Sequence, residues 1–397
     1  MFDLPGVSTG ACASVIGKIR NDGQYIVHNG NDEIVNAPAE DVTEGFLYNR
    51  PFEPRDRKFT EPVVPELSDY NQTLLDILSH ENMASREPVF EQYDKQVQGR
   101  IYTETGLADS GVMALFNSEN YPKEIRNIGI ALSTDHNPRY GLIDPYWGGV
   151  NAVVEAMRNV AAVGATPHAI TDCLCFGNPE KPHQMWEFVE SVRGVADACH
   201  AITLKDNPDD ATPIIAGNVS FYNESKTGAI PPSPIVSCLG RIKDVNKTVP
   251  MHFQQTDSVI LMIGERKDEL GGSMYYNLYG ELGAHVPQPD LEEVKKQIFA
   301  LTDCIDDGIV FSCHDIADGG VVSAIAEMTF GNGIGCDVNI RSHLANDKIL
   351  FSETGGFILE VSMGNMHFVQ RLFSDRSIPV YDIGAVSYTH LTLPTKA

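Results

Sequence analysis

The chain has 397 residues, enough for two or three domains with a sizeable buried core. Hydrophobic residues make up 42% of it and charged residues 21%, the proportions of an ordinary globular protein. The formal net charge of −25 argues against a broad nucleic-acid-binding face, because such a surface repels phosphate backbones. A local pocket for a phosphorylated small molecule stays open, since backbone amides, a metal ion and a few cations suffice for it.

The first residues lack the basic and apolar regions of a signal peptide, and no apolar run approaches the length of a membrane span. The eight cysteines form no CxxC pair, so we expect buried thiols in a reducing cytoplasm rather than disulfides or a zinc site. Cys173 and Cys175 would lie on one face of a strand, where core packing is the expected role.

Residues 1–50 predict a few short strands, too few for a domain of their own, and indicate the end of a larger one. A hairpin is predicted around Asp22-Gly23, with a further turn at Asn29-Gly30. Residues 51–99 are rich in proline and predict a connector that carries one helix over residues 70–80.

Residues 100–248 alternate predicted strands and helices, and so indicate an α+β (mixed α/β) domain with helices covering a sheet. Its strands are predicted over residues 127–133, 167–176 and 214–216, and its helices over residues 151–165 and 185–199.

Residues 249–386 predict a second mixed domain. Asp290 is the predicted N-cap of a helix that ends near residue 306, with Glu293 completing a capping box. The other predicted helices cover residues 321–330 and 367–373, and the predicted strands cover residues 257–264, 309–312, 349–352, 357–361 and 380–383. Residues 387–397 predict a short, Thr-rich, disordered tail, which we expect to be foreign sequence rather than native coding sequence.

The stretch GNVSFYNES, residues 217–225, follows an apolar run at residues 213–216 that predicts a buried strand ending at Gly217. Gly217 would let a ligand approach the backbone closely, and the amide oxygen of Asn218 suits magnesium. The hydroxyl of Ser220 can both donate and accept a hydrogen bond. An ordinary turn after a strand explains the same residue types, and residue types alone favour the turn.

Other polar groups have two interpretations each. Asp172, at the end of a predicted strand, could face a nucleotide or its metal, or could cap the following turn. The cluster Asp135-His136 with Arg139 could bind phosphate or could be a solvated loop. The glycines at positions 148 and 149 would suit an anion at a helix N-terminus. In HDIADGG, residues 314–320, a tuned acid/base pair competes with Asp318 as a helix N-cap.

Three strings together resemble the phosphoribosylformylglycinamidine synthase family, a branch of the aminoimidazole ribonucleotide (AIR) synthetase superfamily. They are GNVSFYNES, ITDCLCFGNPEKPHQMWEF and DHNPRYGLIDPYWGG, and the likeness runs from about residue 86 to about residue 386. The likeness is to the second half of the large subunit of the small, multi-subunit form of that enzyme. The resemblance implies an AIR synthase amino-terminal-type domain over residues 100–248 and a carboxyl-terminal-type domain over residues 249–386. Residues 1–50 would then be the tail of a preceding carboxyl-terminal-type domain.

The resemblance also implies an activity. The family is a ligase of purine biosynthesis that uses ATP and Mg²⁺ to amidate formylglycinamide ribonucleotide with glutamine-derived ammonia. A separate glutaminase subunit and a small accessory subunit are its partners. In the family's pattern, the positions of Asp172 and Gly217 contact ATP, that of Asn218 binds magnesium and that of Ser220 contacts the substrate.

The resemblance limits the chain as well. The family's catalytic histidines belong to first-half domains that these residues do not match, so no catalytic residue is assigned and an inactive fragment is expected. A magnesium-binding aspartate of the first half has Arg158-Asn159 as its counterpart here. Sister families with this fold, such as selenophosphate synthetase or thiamine-phosphate kinase, lack the strings GNVSFYNE and TDCLCFGNPE. A nucleotide-binding or purely structural half also stays open: Arg158-Asn159 favours it, whereas Asn218 and Ser220 argue against it.

Overall fold

The computed structural model describes residues 14–44 and 48–387. The chain divides into two compact units, Met1–Pro51 and Phe52–Ala397. The predicted tail at residues 388–397 lies outside the described residues. Within the described residues, every helix is too short or too polar to cross a membrane.

The described residues of the first unit form one antiparallel hairpin and a short helix. Its elements are β1 Gln24–Asn29, β2 Asp32–Pro38 and α1 Ala39–Glu44. The predicted Asn29-Gly30 turn is confirmed, and Gly30 takes the left-handed backbone (φ +61) that such a turn requires. The hairpin predicted around Asp22-Gly23 is wrong, because β1 pairs forward with β2 and the described residues 14–23 form no strand.

Among the described residues, the second unit contains two large sheets and one two-stranded sheet. The elements up to the end of the first sheet are α2 Asn71–Ser79, α3 Glu87–Phe90, β3 Ile101–Thr103, β4 Gly111–Ala114, β5 Gly129–Asp135, α4 Pro138–Ile143, α5 Pro145–Ala162, β6 Thr166–Cys175, α6 Pro182–Ala201, β7 Ile214–Ser220, β8 Glu224–Ser225, β9 Gly228–Ala229 and β10 Ser233–Ile242. The elements that follow are β11 Val259–Ile263, α7 Met274–Leu278, α8 Leu291–Asp306, β12 Val310–Asp315, α9 Gly320–Met328, β13 Gly335–Val338, α10 Asn346–Phe351, β14 Phe357–Val361, α11 Met366–Ser374 and β15 Val380–Ser387.

The first sheet has the order β3-β4-β5-β10-β6-β7, and its last pair, β6 and β7, is parallel. Helices α5 and α6 cover one face, where Met157 and Ile170 are fully buried. The opposite face carries Leu132, which is 54% exposed, and a hydrogen bond of 2.7 Å between the hydroxyls of Thr134 and Ser237. We call this opposite side, which also carries Cys173, Cys175, Asn218 and Ser220, the open face.

The second sheet has the order β12-β14-β11-β15-β13. Helices α8 and α11 pack on one side of it and α9 on the other, so the middle strands β11 and β14 are buried along their whole length. One apolar cluster runs from Met157 of α5 to Ile298 of α8. The two predicted domains therefore share a core within one compact unit, and the mixed α+β fold class is confirmed.

Residues 52–99 are a packed strap rather than a free linker. The guanidinium of Arg55 donates to the carbonyl of Ile143 (3.0 Å) and pairs with Glu187 (2.7 Å). The carboxylate of Glu61 accepts from the amides of Ala284 and His285, both at 2.7 Å. Ile77 of α2 is fully buried against the second half of the unit.

Most predicted elements are present, with two instructive errors. Asp290 caps α8 as predicted, because its carboxylate accepts from the amides of Glu292 and Glu293. The strand predicted over residues 349–352 is the helix α10, since a short apolar run does not distinguish a buried helix from a strand. Asp318 is not the N-cap of α9: Gly319 holds that position in the left-handed conformation (φ +77).

Candidate functional site

The four residues carried over from the resemblance lie on two adjacent strands. β6 and β7 run parallel with Asp172 opposite Gly217, and Ser220 lies opposite Cys175 in the same register. The prediction of a buried strand ending at Gly217 is wrong. β7 is the edge strand, it continues to Ser220, and Ile215 is 63% exposed, because the helical layer stops short of the sheet's edge.

Alternation along the strands divides these residues between the two faces of the sheet. Asp172 lies on the same side as the buried Ile170, facing the helical layer, and it sits within β6 rather than at its end. Asn218 and Ser220 lie on the open face. A Cβ at Gly217 would come within 2.3 Å of Asp172 Oδ1, so the glycine leaves room for that carboxylate. Burial raises the pKa of Asp172.

Asn223 fixes the conformation of Ser220. Its amide nitrogen donates to the carbonyls of Ser220 (2.9 Å) and Phe176 (3.1 Å) and to the Ser220 hydroxyl (3.0 Å). The sequence alone assigns no functional role to Asn223, which lies in the string and in a sequon that has no meaning in a cytoplasmic chain. Asparagine is nevertheless a recognisable signal there, because its amide can bond to neighbouring backbone groups.

We expect Asn223→Ala to loosen the end of β7 and to cost about 1–2 kcal/mol of unfolding free energy, because three acceptors lose their donor. Amide hydrogen exchange over residues 218–223 and urea unfolding measure this. Asn36→Ala, at an exposed strand position of the first unit, is the control. Unchanged protection at Ser220 would contradict the positioning role.

His314, from the HDIADGG string, lies between two carboxylates. Its Nδ1 is 2.8 Å from Asp109 Oδ1 and its Nε2 is 2.9 Å from Glu327 Oε2. Burial by itself lowers the pKa of His314, but the two carboxylates outweigh burial and raise it well above its ordinary value. The imidazolium is therefore an ion-pair partner at neutral pH, not a free base.

A buried group of carboxylates surrounds Arg158. Arg158 Nε lies 3.5 Å from Asp315 Oδ2, and the amide of Asn159 donates to Asp135 at 2.5 Å. Burial, followed by the charge of Asp315, raises the pKa of Asp135 to about 7. Burial likewise raises the pKa of Glu155 well above its ordinary value.

Sequence reasoning found a charged ligand missing at Arg158-Asn159 and overlooked Glu155, one helical turn earlier. An isolated acid in the largely apolar α5 is the signal that could have identified it. Asp109, His314 and Asp315 offer ligand atoms within 4.8 Å of one another, but both ring nitrogens of the protonated His314 are already paired with carboxylates.

At two possible anion sites the binding groups are taken up by the protein itself. The carboxylate of Asp144 accepts from the amides of Tyr146 and Trp147, so the protein's own side chain occupies the N-terminus of α5. Gly149 lies within the helix and packs against the backbone of Ser191. Arg139 donates to the carbonyl of Gly272 (3.0 Å) and to Asn277 (3.0 Å), so its guanidinium braces the fold.

Family comparison matches both halves of the second unit. The AIR synthase related protein N-terminal domain matches residues 109–242, and the AIR synthase related protein C-terminal domain matches residues 255–392. The second match extends into the segment predicted to be foreign.

Curated relatives cover most of the chain. The phosphoribosylformylglycinamidine synthase subunit PurL of Methanothrix thermoacetophila is 46% identical over 366 residues, 91% of this chain and 47% of that protein. The same subunit of Alkaliphilus metalliredigens is 34% identical, over 94% of this chain and 49% of that protein. The chain thus spans about half the length of the curated relatives that it matches.

Solved structures share the fold. A Thermotoga maritima PurL complexed with ATP has a TM-score of 0.54 and 19% identity, over 92% of this chain and 49% of that chain. The PurLQS structure from the same organism has a TM-score of 0.56 and 18% identity, over 93% of this chain and 50% of that chain. The resemblance found in the sequence is confirmed, and the chain belongs to the AIR synthase related protein family, with that family's N-terminal and C-terminal domains in tandem.

Proposed function

We propose that the chain supplies one side of the active site of a phosphoribosylformylglycinamidine synthase. That ATP-dependent ligase of purine biosynthesis converts formylglycinamide ribonucleotide and glutamine-derived ammonia into formylglycinamidine ribonucleotide. The observation that carries the proposal is the parallel register, which places Asp172 opposite Gly217 on adjacent strands, with Asn218 and Ser220 following on the open face. The curated relatives, at up to 46% identity, bear the name of this enzyme.

Each residue has a proposed role. Asp172 and Gly217 would contact ATP from the edge of the sheet, and Ser220, held by Asn223, would orient the substrate on the open face. Asn218 would be one magnesium ligand: its exposed amide offers a single neutral oxygen, which fits a metal held mainly by phosphate and water. Magnesium would supply charge neutralisation on the triphosphate.

An uncovered edge supports a site completed by other protein surfaces. β7 has an unpaired edge among the described strands, Val219 is 50% exposed, and the open face carries Leu132. Such an edge normally pairs or is covered. We therefore propose that the chain alone lacks synthase activity and that a glutaminase subunit and a small accessory subunit join the complete enzyme. The seven described cysteines are all free thiols, which supports a cytoplasmic location.

Calorimetric titration of the chain with ATP, with and without Mg²⁺, tests the residue assignment. We expect weak magnesium-dependent binding that Asn218→Ala reduces at least tenfold, about 1.4 kcal/mol, because a metal ligand is lost. Asn36→Ala is the matched control. Equal binding by Asn218→Ala and the unaltered chain would instead favour a purely structural role for β7.

A further inference from the structure

Two thiols lie side by side on the open face of the first sheet. Cys173 and Cys175 are successive same-face residues of β6, and their Sγ atoms are 3.6 Å apart. Both are free and partly exposed, whereas Cys199, Cys238, Cys304 and Cys313 are buried. The core-packing role expected from the sequence is therefore wrong for this pair, because the helical layer covers the other face of the sheet.

The separation of the two sulfurs fits chelation of one metal ion. Zinc–thiolate bonds of about 2.3 Å at a tetrahedral angle place two sulfurs about 3.8 Å apart. A disulfide would need the sulfurs at about 2.0 Å, and same-face Cα atoms of a strand, about 6.6 Å apart, lie near the upper limit for one. The observed 3.6 Å thus suits a shared cation with almost no movement of the strand.

The adjacent strand places oxygen donors next to the two sulfurs. In the parallel register Asn218 lies beside Cys173 and Ser220 beside Cys175. Neighbouring strands are about 4.8 Å apart, so an ion held by both sulfurs would lie within reach of these side chains or of a bridging water. Two thiolates with two oxygen ligands complete a four-coordinate site for a borderline-soft ion.

We propose that Cys173 and Cys175 form a two-thiolate binding site for a thiophilic divalent cation of the Zn²⁺ class on the open face. Binding replaces two S–H protons with two metal–sulfur bonds and involves no oxidant. Burial, followed by the hydrogen bond that Cys175 shares with Cys173, raises the pKa of Cys175. Affinity therefore falls as the pH falls, since protons compete with the cation for the sulfurs.

Occupancy has a consequence that rests on the proposed function. A cation at this site lies against Asn218 and Ser220, and so excludes magnesium-bound nucleotide and substrate from the same surface. The chain would then be inhibited by thiophilic metals and protected by chelators. Direct metal binding tests the site itself, independently of any synthase activity.

Cadmium titration of the fully reduced chain is the test, followed by the ultraviolet thiolate-to-cadmium absorption and by competition with Zn²⁺. We expect one tight equivalent, and at least a hundredfold weaker binding in Cys173→Ser and in Cys175→Ser. Cys336→Ser, at the other partly exposed cysteine among the described residues, should bind like the unaltered chain.

A second measurement needs no variant. Phenylarsine oxide condenses with two adjacent thiols, forming two As–S bonds and releasing one water, and peptide mass mapping should place it on residues 173 and 175. Absence of a cadmium–thiolate band, unchanged affinity in both serine variants, or arsenic on other cysteines would overturn the proposal. Equal ATP binding by the unaltered chain and by Asn218→Ala would contradict the proposed function alone. It would not affect the proposal of a cation site.

Discussion

Replacing Gly194 by alanine should destabilise the second unit by about 3 kcal/mol. Helices α5 and α6 cross here with their backbones in contact. A Cβ at Gly194 would lie 2.1 Å from the carbonyl oxygen of Tyr146, and one at Gly149 would lie 2.2 Å from that of Ser191. Alanine gains about 1 kcal/mol of helix propensity over glycine, but backbone atoms on both sides cannot yield without separating the helices.

Urea unfolding of Gly194→Ala and Gly149→Ala measures this effect. Gly111→Ala is the matched control, because a Cβ there would meet nothing within 4 Å and the backbone is not left-handed. The control should change stability by no more than about 0.5 kcal/mol. A loss below about 1 kcal/mol in both helical variants would show that the crossing is not tightly packed.

Replacing Glu353 by alanine should have a comparably large effect, about 3 kcal/mol or more. This buried carboxyl accepts from the amides of Met274 and Gly319, both at 2.8 Å, and from the Tyr140 hydroxyl at 2.6 Å. It thereby joins α4 to the N-termini of α7 and α9. Alanine would leave all three donors buried without an acceptor.

The substitution Glu353→Gln removes the ionisable group while keeping the size and shape of the side chain. Burial, followed by the charge of Asp318, raises the pKa of Glu353 from 4.5 to about 8. Between these values the folded chain holds a proton that the unfolded chain has released, so this group's stabilisation is lost as the pH rises through that window. Glu353→Gln keeps the acceptor for the amides and should abolish this slope.

The measurement is the free energy of unfolding at pH values near the two ends of that window. The unaltered chain should be less stable at the upper end than Glu353→Gln, and the two should agree at the lower end. An identical pH slope in both proteins would show that Glu353 is already ionised in the fold.

Local sequence signals are sufficient to predict an element where residues adjacent in the sequence determine its structure. Asp290 and the apolar stripe after it specify α8, and Asn29-Gly30 specifies the first hairpin. They are insufficient where distant packing decides. The apolar pair Ile214-Ile215 is compatible both with a central strand and with the edge strand that it forms. The glycines of α5 are equally compatible with a bound ligand and with the close helix contact that they make.

The candidate site shows the same division. The resemblance groups Asp172 with Asn218 and Ser220, but only the register shows that Asp172 faces the opposite side of the sheet from the other two. Glu155 escapes notice in the sequence because its partners Asp135 and Asp315 come from other strands of the fold. Cys173 and Cys175 read as core residues because a sequence does not tell which face of a sheet is covered.

Complementation in trans tests the central claim most directly. The chain would be mixed with the part of the Methanothrix thermoacetophila relative that it does not match, and ATP-dependent amidation of formylglycinamide ribonucleotide would be assayed with ammonium as the nitrogen source. We predict no activity from either polypeptide alone, activity from the mixture, and loss of that activity with Ser220→Ala but not with the exposed Ser225→Ala. Activity from the chain alone, or a stable but inactive complex of the two polypeptides, would contradict a composite site completed by β6 and β7.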